Sequence, residues 1–282
     1  MGFKFANVLG KFYFDDKLNP VKKANKDNVE IPEKKINQIL QFFRKSEFHE
    51  KFYLKNLQLT KQQLKESVSK DQLIIQTISN INEIDRVVNI LVKRLREWYS
   101  LYYPELDEKI DSHEQFVESV LSGKKKENDS MGADLEKVHL TQINELAKQV
   151  RLMFNLRKKH EDYLQKVMSG YCPNILELAG TTIGAKLIEL ARSLKRMALL
   201  PASTIQLLGA EKALFRHIKT GSRSPKHGII ISHPIVQSAK RDKRGKAARM
   251  LADKLSLCAR LDYFKGEMKA KEYRKELEEK LK

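Results

Sequence analysis

The stretch "IIQTISNINEIDRVVNILVKRLREWYSLYYP", Ile74 to Pro104, decides the fold. Ile74, Ile78, Ile81, Ile84, Val88, Leu91, Leu95, Trp98 and Tyr102 recur at intervals of three and four. That rhythm keeps one side of a 3.6-residue turn apolar and predicts a helix with a long seam, ended by Pro104. A second helix is expected from about Asp107, with Ile110, His113, Val117 and Val120 along one side. It gives way to "SGKKKENDSMGADL", Ser122 to Leu135, a charged turn with two glycines. A third helix carries Ile143, Leu146, Val150, Met153, then Arg157 and His160, then Leu164 and Val167. Two seamed helices around one polar turn make an antiparallel coiled-coil hairpin. Arg157 and His160 interrupt the seam. Either they set register or pairing partner, or Leu156 and Tyr163 cover the gap by rotating the face, and the spacing leaves both open.

Upstream, residues 1–65 read as a small α/β module. "FKFANVLGKFYFDDKLNPVKK" sets an aromatic-rich run ahead of an Asp-Asp-Lys-Leu-Asn-Pro turn, the pattern of a β-hairpin. "IPEKKINQILQFFRKSEFHEKFY" then reads as one helix, with Ile36, Ile39, Leu40 and Phe43 on a stripe. Downstream of the hairpin (residues 66–170), Gly170 and Pro173 open a compact helical module, 171–268. Its helices are shorter: "LIELARSLKRMALL", then "STIQLLGAEKALFRHIKT" after Pro201. The loop "GSRSPKHG" leads to the strand-like run "IIISHPIVQ", and a long helix, "RDKRGKAARMLADKLSLCARLDYF", closes the module. Residues 269–282 read as a charged tail, an amphipathic helix or a frayed end. The fold class is therefore mainly α.

The 282 residues carry 54 Lys and Arg against 36 Asp and Glu, a formal charge of +18. Such an excess favours a polyanionic partner. Between Lys212 and Arg260 stand thirteen Lys or Arg and two acids, Asp242 and Asp253, so most of the charge sits in one module. Arg249 and Arg260, eleven positions apart, share a side of the last long helix, with Lys246 one turn earlier. Ala248, Leu251, Leu255 and Cys258 form a separate stripe for the core. "PAST", Pro201 to Thr204, looks like a helix start whose free amides form an anion-binding end.

Motifs for chemistry fail on spacing. "GTTIGAK" approaches a phosphate loop, but Ala185 separates glycine from lysine, and a helix-packing glycine is the expected reading. His217, His227 and His233 fall on a helix, a loop and a strand-like run without the spacing of metal ligands. Cys172 and Cys258 are expected to be two reduced thiols of an intracellular protein. No apolar run approaches the roughly 20 residues that span a bilayer. The N-terminus meets acidic residues too early for a signal peptide, and Ala6 breaks the myristoylation pattern. No cofactor, no metal and no membrane are expected, and the chain is not expected to be an enzyme.

The blocks "LPAST", "LLGAEKALFRH", "PKHG", "GKAARMLADK" and "CARLDYF", in that order, closely resemble the Nop domain of box C/D ribonucleoprotein scaffolds and of a spliceosomal relative. "LREWYSLYYPEL" and "SMGADL" resemble the coiled-coil segment of the archaeal members, so the resemblance covers about residues 65–268. It implies a non-catalytic scaffold that binds a kink-turn guide RNA together with a small ribosomal-protein-like partner. It also implies an N-terminal domain that holds the methyltransferase fibrillarin for RNA 2′-O-methylation, although residues 1–65 are shorter than that domain usually is. By resemblance Lys226, Lys246, Arg249 and Arg260 contact RNA, Ser203 sits at the helix start beside the RNA stem, and Lys212, Arg216 and His217 face the kink and the small protein. Two copies would pair through the coiled coil at Val117, Leu146, Val150, Met153 and Leu164. The expected location is the cytoplasm for an archaeal-type protein and the nucleolus for a eukaryotic one. The alternatives are a general basic-face nucleic-acid-binding protein and a spliceosomal-type Nop-domain RNA-binding protein.

Overall fold

The computed structural model describes residues 2–21, 28–123, 126 and 129–281. Lys22 and Lys23 of the hairpin stretch, and Lys124, Lys125, Glu127 and Asn128 of the charged turn, lie outside them. The chain divides into two compact units, Met1–Ser69 and Lys70–Lys282.

In the first unit, strands β1 (Gly2–Asn7) and β2 (Gly10–Phe14) form the antiparallel hairpin, turning at Val8 and Leu9. The Asp-Asp-Lys-Leu-Asn-Pro segment makes a second turn instead, leading to β3 (Pro20–Val21). With β4 (Asn28–Glu30) parallel to β1, the sheet order is β3-β2-β1-β4. The register sets Phe3 opposite Phe14 and Phe5 opposite Phe12, so one face of the hairpin is aromatic. The expected single helix breaks in two, α1 (Glu33–Phe42) and α2 (Ser46–Glu66). Phe43 and Phe48, both buried, sit 5.2 Å apart in one ring cluster with Phe12 and Phe14. Five positions along a straight helix diverge by about 140°, so the break brings both rings to the same sheet face. Leu40, placed on the stripe by spacing, is exposed.

The second unit is built on α3 (Lys70–Tyr99) and α6 (Lys137–Ser169). Ile74, Ile78 and Ile81 share a core with Leu164 and Met168, while Val88, Val92 and Leu95 share another with Ile143, Ala147 and Val150. The two helices therefore run antiparallel. The long partner of α6 is α3; the expected second helix is two short ones, α4 (Pro104–Lys109) and α5 (His113–Leu121). Between them Ile110 is extended. Arg96 uses that break: its guanidinium pairs with Asp107, bonds the carbonyls of Ile110 (2.8 Å) and Asp111 (3.1 Å), and lies 4.4 Å over the Phe116 ring. At the tip, Ala133 N donates to Leu101 O (2.8 Å). The Glu105 carboxylate accepts from Met131 N (2.8 Å) and Ser130 Oγ (2.7 Å), which hold it below the usual carboxylate range. A β-carbon on Gly132 would stand 2.0 Å from Tyr102 O. "LYYPEL" and "SMGADL" are thus two halves of one latch.

The polar pair faces α3. Arg157 bonds Asp85 (2.5 Å) and Glu161 (3.0 Å), and the His160 ring lies 3.3 Å from Asn80 Nδ2. Leu156 and Tyr163 are exposed, so they do not cover the gap. The seam residues expected to pair two chains are used inside one. Val117, Val150 and Leu164 are buried, and Leu146 and Met153 pack half-buried on the same core.

Around the hairpin base stand α7 (Pro173–Ala179), α8 (Thr181–Ala191), α9 (Leu194–Leu199), α10 (Ala202–Leu207), α11 (Glu211–Thr220), α12 (Pro234–Gln237), α13 (Arg244–Tyr263) and α14 (Ala270–Leu281). They share one core with Ile74–Ile81 and Leu164–Met168, so hairpin and C-terminal module fold as one unit. Its axis is α13, whose expected stripe, Ala248, Leu251, Leu255 and Cys258, is fully buried. Asp262, near the end of α13, accepts from Asn174 N (3.0 Å), Asn174 Nδ2 (2.8 Å) and Ile175 N (2.9 Å), while Asn174 Oδ1 accepts from Lys269 N and Ala270 N. One carboxylate and one amide so satisfy the starts of α7 and α14. Burial raises the Asp262 carboxyl against those donors. Far from a frayed end, α14 buries Ala270 and Leu277. Gly184 is a packing glycine, its missing β-carbon 3.0 Å from Ile175 and Met168 side-chain carbons. Both cysteines are free and buried, and burial pushes both thiols up, Cys258 to about 12.

The strand-like run is not a strand. Ile229–Ser232 is a 3-10 turn and Pro234 starts α12, capped by His233. With no neighbouring strand, the three isoleucines wind over α8 and α13 instead, Ile230 buried and Ile229 and Ile231 half-buried on the same core. His233 is buried, with Nδ1 accepting from Ile235 N (3.2 Å) and Nε2 donating to Leu178 O (2.9 Å), an arrangement that requires the neutral ring. Burial, with the Arg274 charge, lowers its pKa. The unfolded chain therefore takes up a proton near pH 6.5 that the folded chain resists, and stability present above that pH is lost as it falls. Denaturant titrations between roughly pH 7.5 and 5 are expected to lose up to about 1.4 kcal/mol per pH unit from this group. In His233→Asn, which keeps a cap, that component of the slope should vanish.

Candidate nucleic-acid interface

The loop of residues 221–228 is anchored at its far end. Gly228 N donates to Gln206 O (2.7 Å) and Ile229 N to Leu208 O (2.8 Å). A β-carbon on Gly228 would stand 1.9 Å from Leu208 O, so only glycine permits this approach. Gln206 Nε2 donates to Lys226 O at 2.6 Å, which fixes the lysine's backbone over the end of α10. Opposite stands the first turn of α13, where the Lys226 stem lies over Gly245, 3.5 Å from where a β-carbon would stand, an ordinary packing distance. The result is a cleft of about 760 Å³ lined by Lys226, Lys246, Arg249, Gln206 and Asp242. Among the described residues Lys226, Lys246 and Arg249 have no ion-pair partner. Arg249 makes no bridge to Asp253, four residues on. Three exposed cations against one carboxylate, on a backbone held by glycine contacts and amide bonds, form an anion-binding concavity.

Of the eight residues expected to meet RNA, the cleft gathers these three. Ser203 is exposed one turn before Gln206 on α10, whose start carries no side-chain cap. Arg260 lies eleven residues along α13, about 17 Å away, its Nε bonded to Ala198 O (3.3 Å). Lys212 and Arg216 are exposed on α11, the helix that feeds the loop. His217 is half-buried and its Nδ1 bonds Ser222 O, so its ring holds the loop to the helix end. Glu211 is likewise occupied, accepting from Gly209 N (2.8 Å).

Sequence reasoning missed two features. Gln206 and the contact glycine Gly228 become visible only once the loop is folded against α10 and α13. The other is apolar: α11 buries no residue, and Phe215 and Ile218, three positions apart, are 61% and 68% exposed. The pair stands at helical spacing, and spacing alone does not tell a covered face from an open one.

A second surface lies on the hairpin. A shallow hollow between Gln76 and Asn80 of α3 and Lys159, His160 and Tyr163 of α6 shows that these sides share one face. Val87 follows Asn80 by seven residues and Ile90 follows Gln76 by fourteen; Leu156 and Leu152 precede Tyr163 by seven and eleven. Those intervals return to within about 40° on a helix. Val87, Ile90, Leu152 and Leu156 are all exposed. The open face of the hairpin therefore carries four exposed apolar side chains beside polar ones, on different residues from the expected seam.

Residues 80–282 match the Nop family, described as a snoRNA binding domain, fibrillarin. An uncharacterised NOP5 family protein of Methanocaldococcus jannaschii is 40% identical over 254 residues, 81% of this chain and 61% of its own length. Nucleolar protein 56 of Schizosaccharomyces pombe is 36% identical over 69% of this chain and 45% of its own, and that of Homo sapiens 34% over 69% and 37%. The chain thus spans less than two thirds of the length of the curated relatives it matches. A crystal structure of a fibrillarin/Nop5p complex contains a chain of like fold, with TM-score 0.50 and 23% identity over 99% of this chain and 100% of that one. Among the described residues no helix is long and apolar enough to cross a membrane.

Since Gly228 has no room for a β-carbon, Gly228→Ala should release the loop from α10. Hydrogen exchange is expected to show lost protection at Gly228 and Ile229 and little change in the buried face of α13.

Proposed function

The chain belongs to the Nop family, and on that premise we propose that it is a non-catalytic scaffold of a box C/D guide-RNA ribonucleoprotein. It binds kink-turn RNA together with a small ribosomal-protein-like partner, and its N-terminal unit positions fibrillarin for 2′-O-methylation. The observation that carries the reading is the pairing of two chemistries on one continuous segment. The exposed apolar pair Phe215 and Ile218 on α11 runs directly into the loop that delivers Lys226 to the cationic cleft. Phosphates neutralise Lys226, Lys246 and Arg249, with Lys212 and Arg216 extending the track. A protein already holding the kink covers Phe215 and Ile218, which in water alone have nothing to pack on. Ser203 on α10 and Arg260 farther along α13 add contacts outside the cleft. No methyl donor or metal is assigned to this chain, since the reaction belongs to the bound methyltransferase.

The scaffold pairs with a second copy through the open hairpin face, Val87, Ile90, Leu152 and Leu156, because the seam residues are already buried within one chain. Its compartment follows that of the particle, the cytoplasm of an archaeal cell or the nucleolus of a eukaryotic one.

Arg249→Ala should weaken assembly on kink-turn RNA by about 1–3 kcal/mol, with the salt slope falling by about 0.7–0.9, read by titration with the small protein present. Equal affinity with and without that protein, or indifference to the kink, would instead favour a general basic-face binder. Ile90→Asp with Leu152→Asp should convert dimer to monomer in light scattering with helical content retained, since neither side chain is buried within the chain. The melting temperature should then lose its dependence on protein concentration.

A further inference from the structure

A second cleft, of about 680 Å³, lies at the end of α13 remote from Lys246. Tyr171, Tyr263, Lys70 and Lys265 bound it, with Leu194 and Leu261 beneath. Here α13 ends in a left-handed cap: Gly266 N donates to Leu261 O (2.7 Å) and Lys265 N to Asp262 O (3.4 Å). The residue so placed is usually glycine, because a β-carbon is disfavoured there. It is Lys265, at φ +55°. Stability alone favours glycine at that position; what the lysine adds is an ammonium at the rim of the cleft. Beside it Phe264 is 71% exposed, its ring edge-on to Tyr263 at 5.0 Å. The floor is fixed, since Asp71 accepts from Leu194 N (3.0 Å), and burial with that carboxylate keeps the Tyr171 hydroxyl un-ionised. The one carboxylate in the lining, Asp262, has its oxygens taken up by three N–H bonds.

An exposed ring packed on Tyr263, beside a cleft that two lysines bound, suits a ligand that is flat, aromatic and anionic. A base inside a duplex already has both faces stacked and gains little from a protruding phenylalanine, whereas an unpaired base gains a partner. A purely apolar segment would leave both ammonium groups against a dry surface. We propose that this cleft takes an unpaired nucleotide of the RNA, with its base against Phe264 and Tyr263 and its phosphate between Lys70 and Lys265. The inference rests on the RNA-binding reading given above and extends it to a second contact. Lys246 and Tyr263 are seventeen residues apart on one helix, about 25 Å, so a short single strand leaving a stem at the first cleft reaches the second.

The test uses the full chain with the small kink-turn protein and two labelled RNAs, a kink-turn hairpin that is blunt and the same hairpin with a tail of about ten uridines, 4-thiouridine among them. The tail is expected to tighten binding and to crosslink at residues 263–265. Phe264→Ala should remove about tenfold of the tail's gain and leave blunt-hairpin affinity unchanged. Lys265→Gly should lower the tail's salt slope by about 0.7 while holding or raising the melting temperature, since glycine relieves the left-handed backbone. Arg249→Ala should weaken both RNAs alike. A tail that adds nothing, a tail gain that survives both cleft variants, or variants that cost only a co-purifying protein would overturn the proposal and leave the first cleft standing. Failure of wild-type chain to bind either hairpin would overturn the RNA-binding reading as well.

Discussion

The second unit depends on the two-sidedness of α13. Its buried side is made largely of small residues, Ala247, Ala248, Ala252 and Ala259 among them, which let α7, α9 and α10 approach closely around Leu251, Leu255 and Cys258. Its outer side carries Lys246, Arg249 and Arg260. Because one rigid helix supplies both, the cations inherit the positional precision of the core. A basic loop on a mobile connector would have to be ordered on binding, at about 1–2 kcal/mol of backbone entropy per residue. Here Gly228 and the Gln206 amide have already ordered it at the lysine that matters.

The hairpin extends the same logic outward. α3 belongs to two cores, the C-terminal one through Ile74–Ile81 and its own through Ile84–Tyr99, so the 30-residue helix is a continuous spine with no joint between them. The polar contacts Arg157–Asp85 and His160–Asn80 stand where one core passes into the other. Half-exposed ion pairs contribute little to stability, yet only one register of α6 on α3 satisfies them. Their effect is to fix alignment, which the apolar seam alone would permit to slip. The tip latch works similarly: Gly132 against Tyr102 and Glu105 on Met131 decide where the chain turns back.

Periodicity made α3 and α6 legible, along with the buried stripe of α13 and the concentration of charge. The same rhythm read α4 with α5, α8 with α9 and α10 with α11 as single helices, where breaks such as the left-handed Arg192 and Gly209 divide them. It failed where a local signal was overruled by packing. Ile229–Ile231 have strand propensity but no strand to pair with, and Phe42–Phe48 read as helix until two rings had to meet one sheet face. The seam of α5 and α6 was legible as apolar, and the fold buries it within one chain. The pairing of two copies through it was implied by the resemblance and not by the spacing. For the cleft, charge and spacing picked out Lys246 and Arg249, and the resemblance added Lys226. They could not separate His217, whose ring is engaged by Ser222, from the freely exposed Lys212 and Arg216 on the same helix.

The same distinction explains why the cleft is left open. Lysines and arginines elsewhere in this unit find carboxylates: Lys254 meets Glu276 at 2.6 Å, Arg274 approaches Glu177, and Arg96 meets Asp107. Acids are therefore available to the fold, and their near absence between Lys212 and Arg260 is local. Three like charges on a fixed backbone repel one another, a term that weakens the isolated unit and is screened by salt. A polyanion turns that repulsion into attraction without moving the backbone, so the unfavourable term of the free protein becomes part of the binding energy. An intramolecular bridge such as Arg249–Asp253 would forfeit it, and the geometry of α13 leaves that bridge unmade.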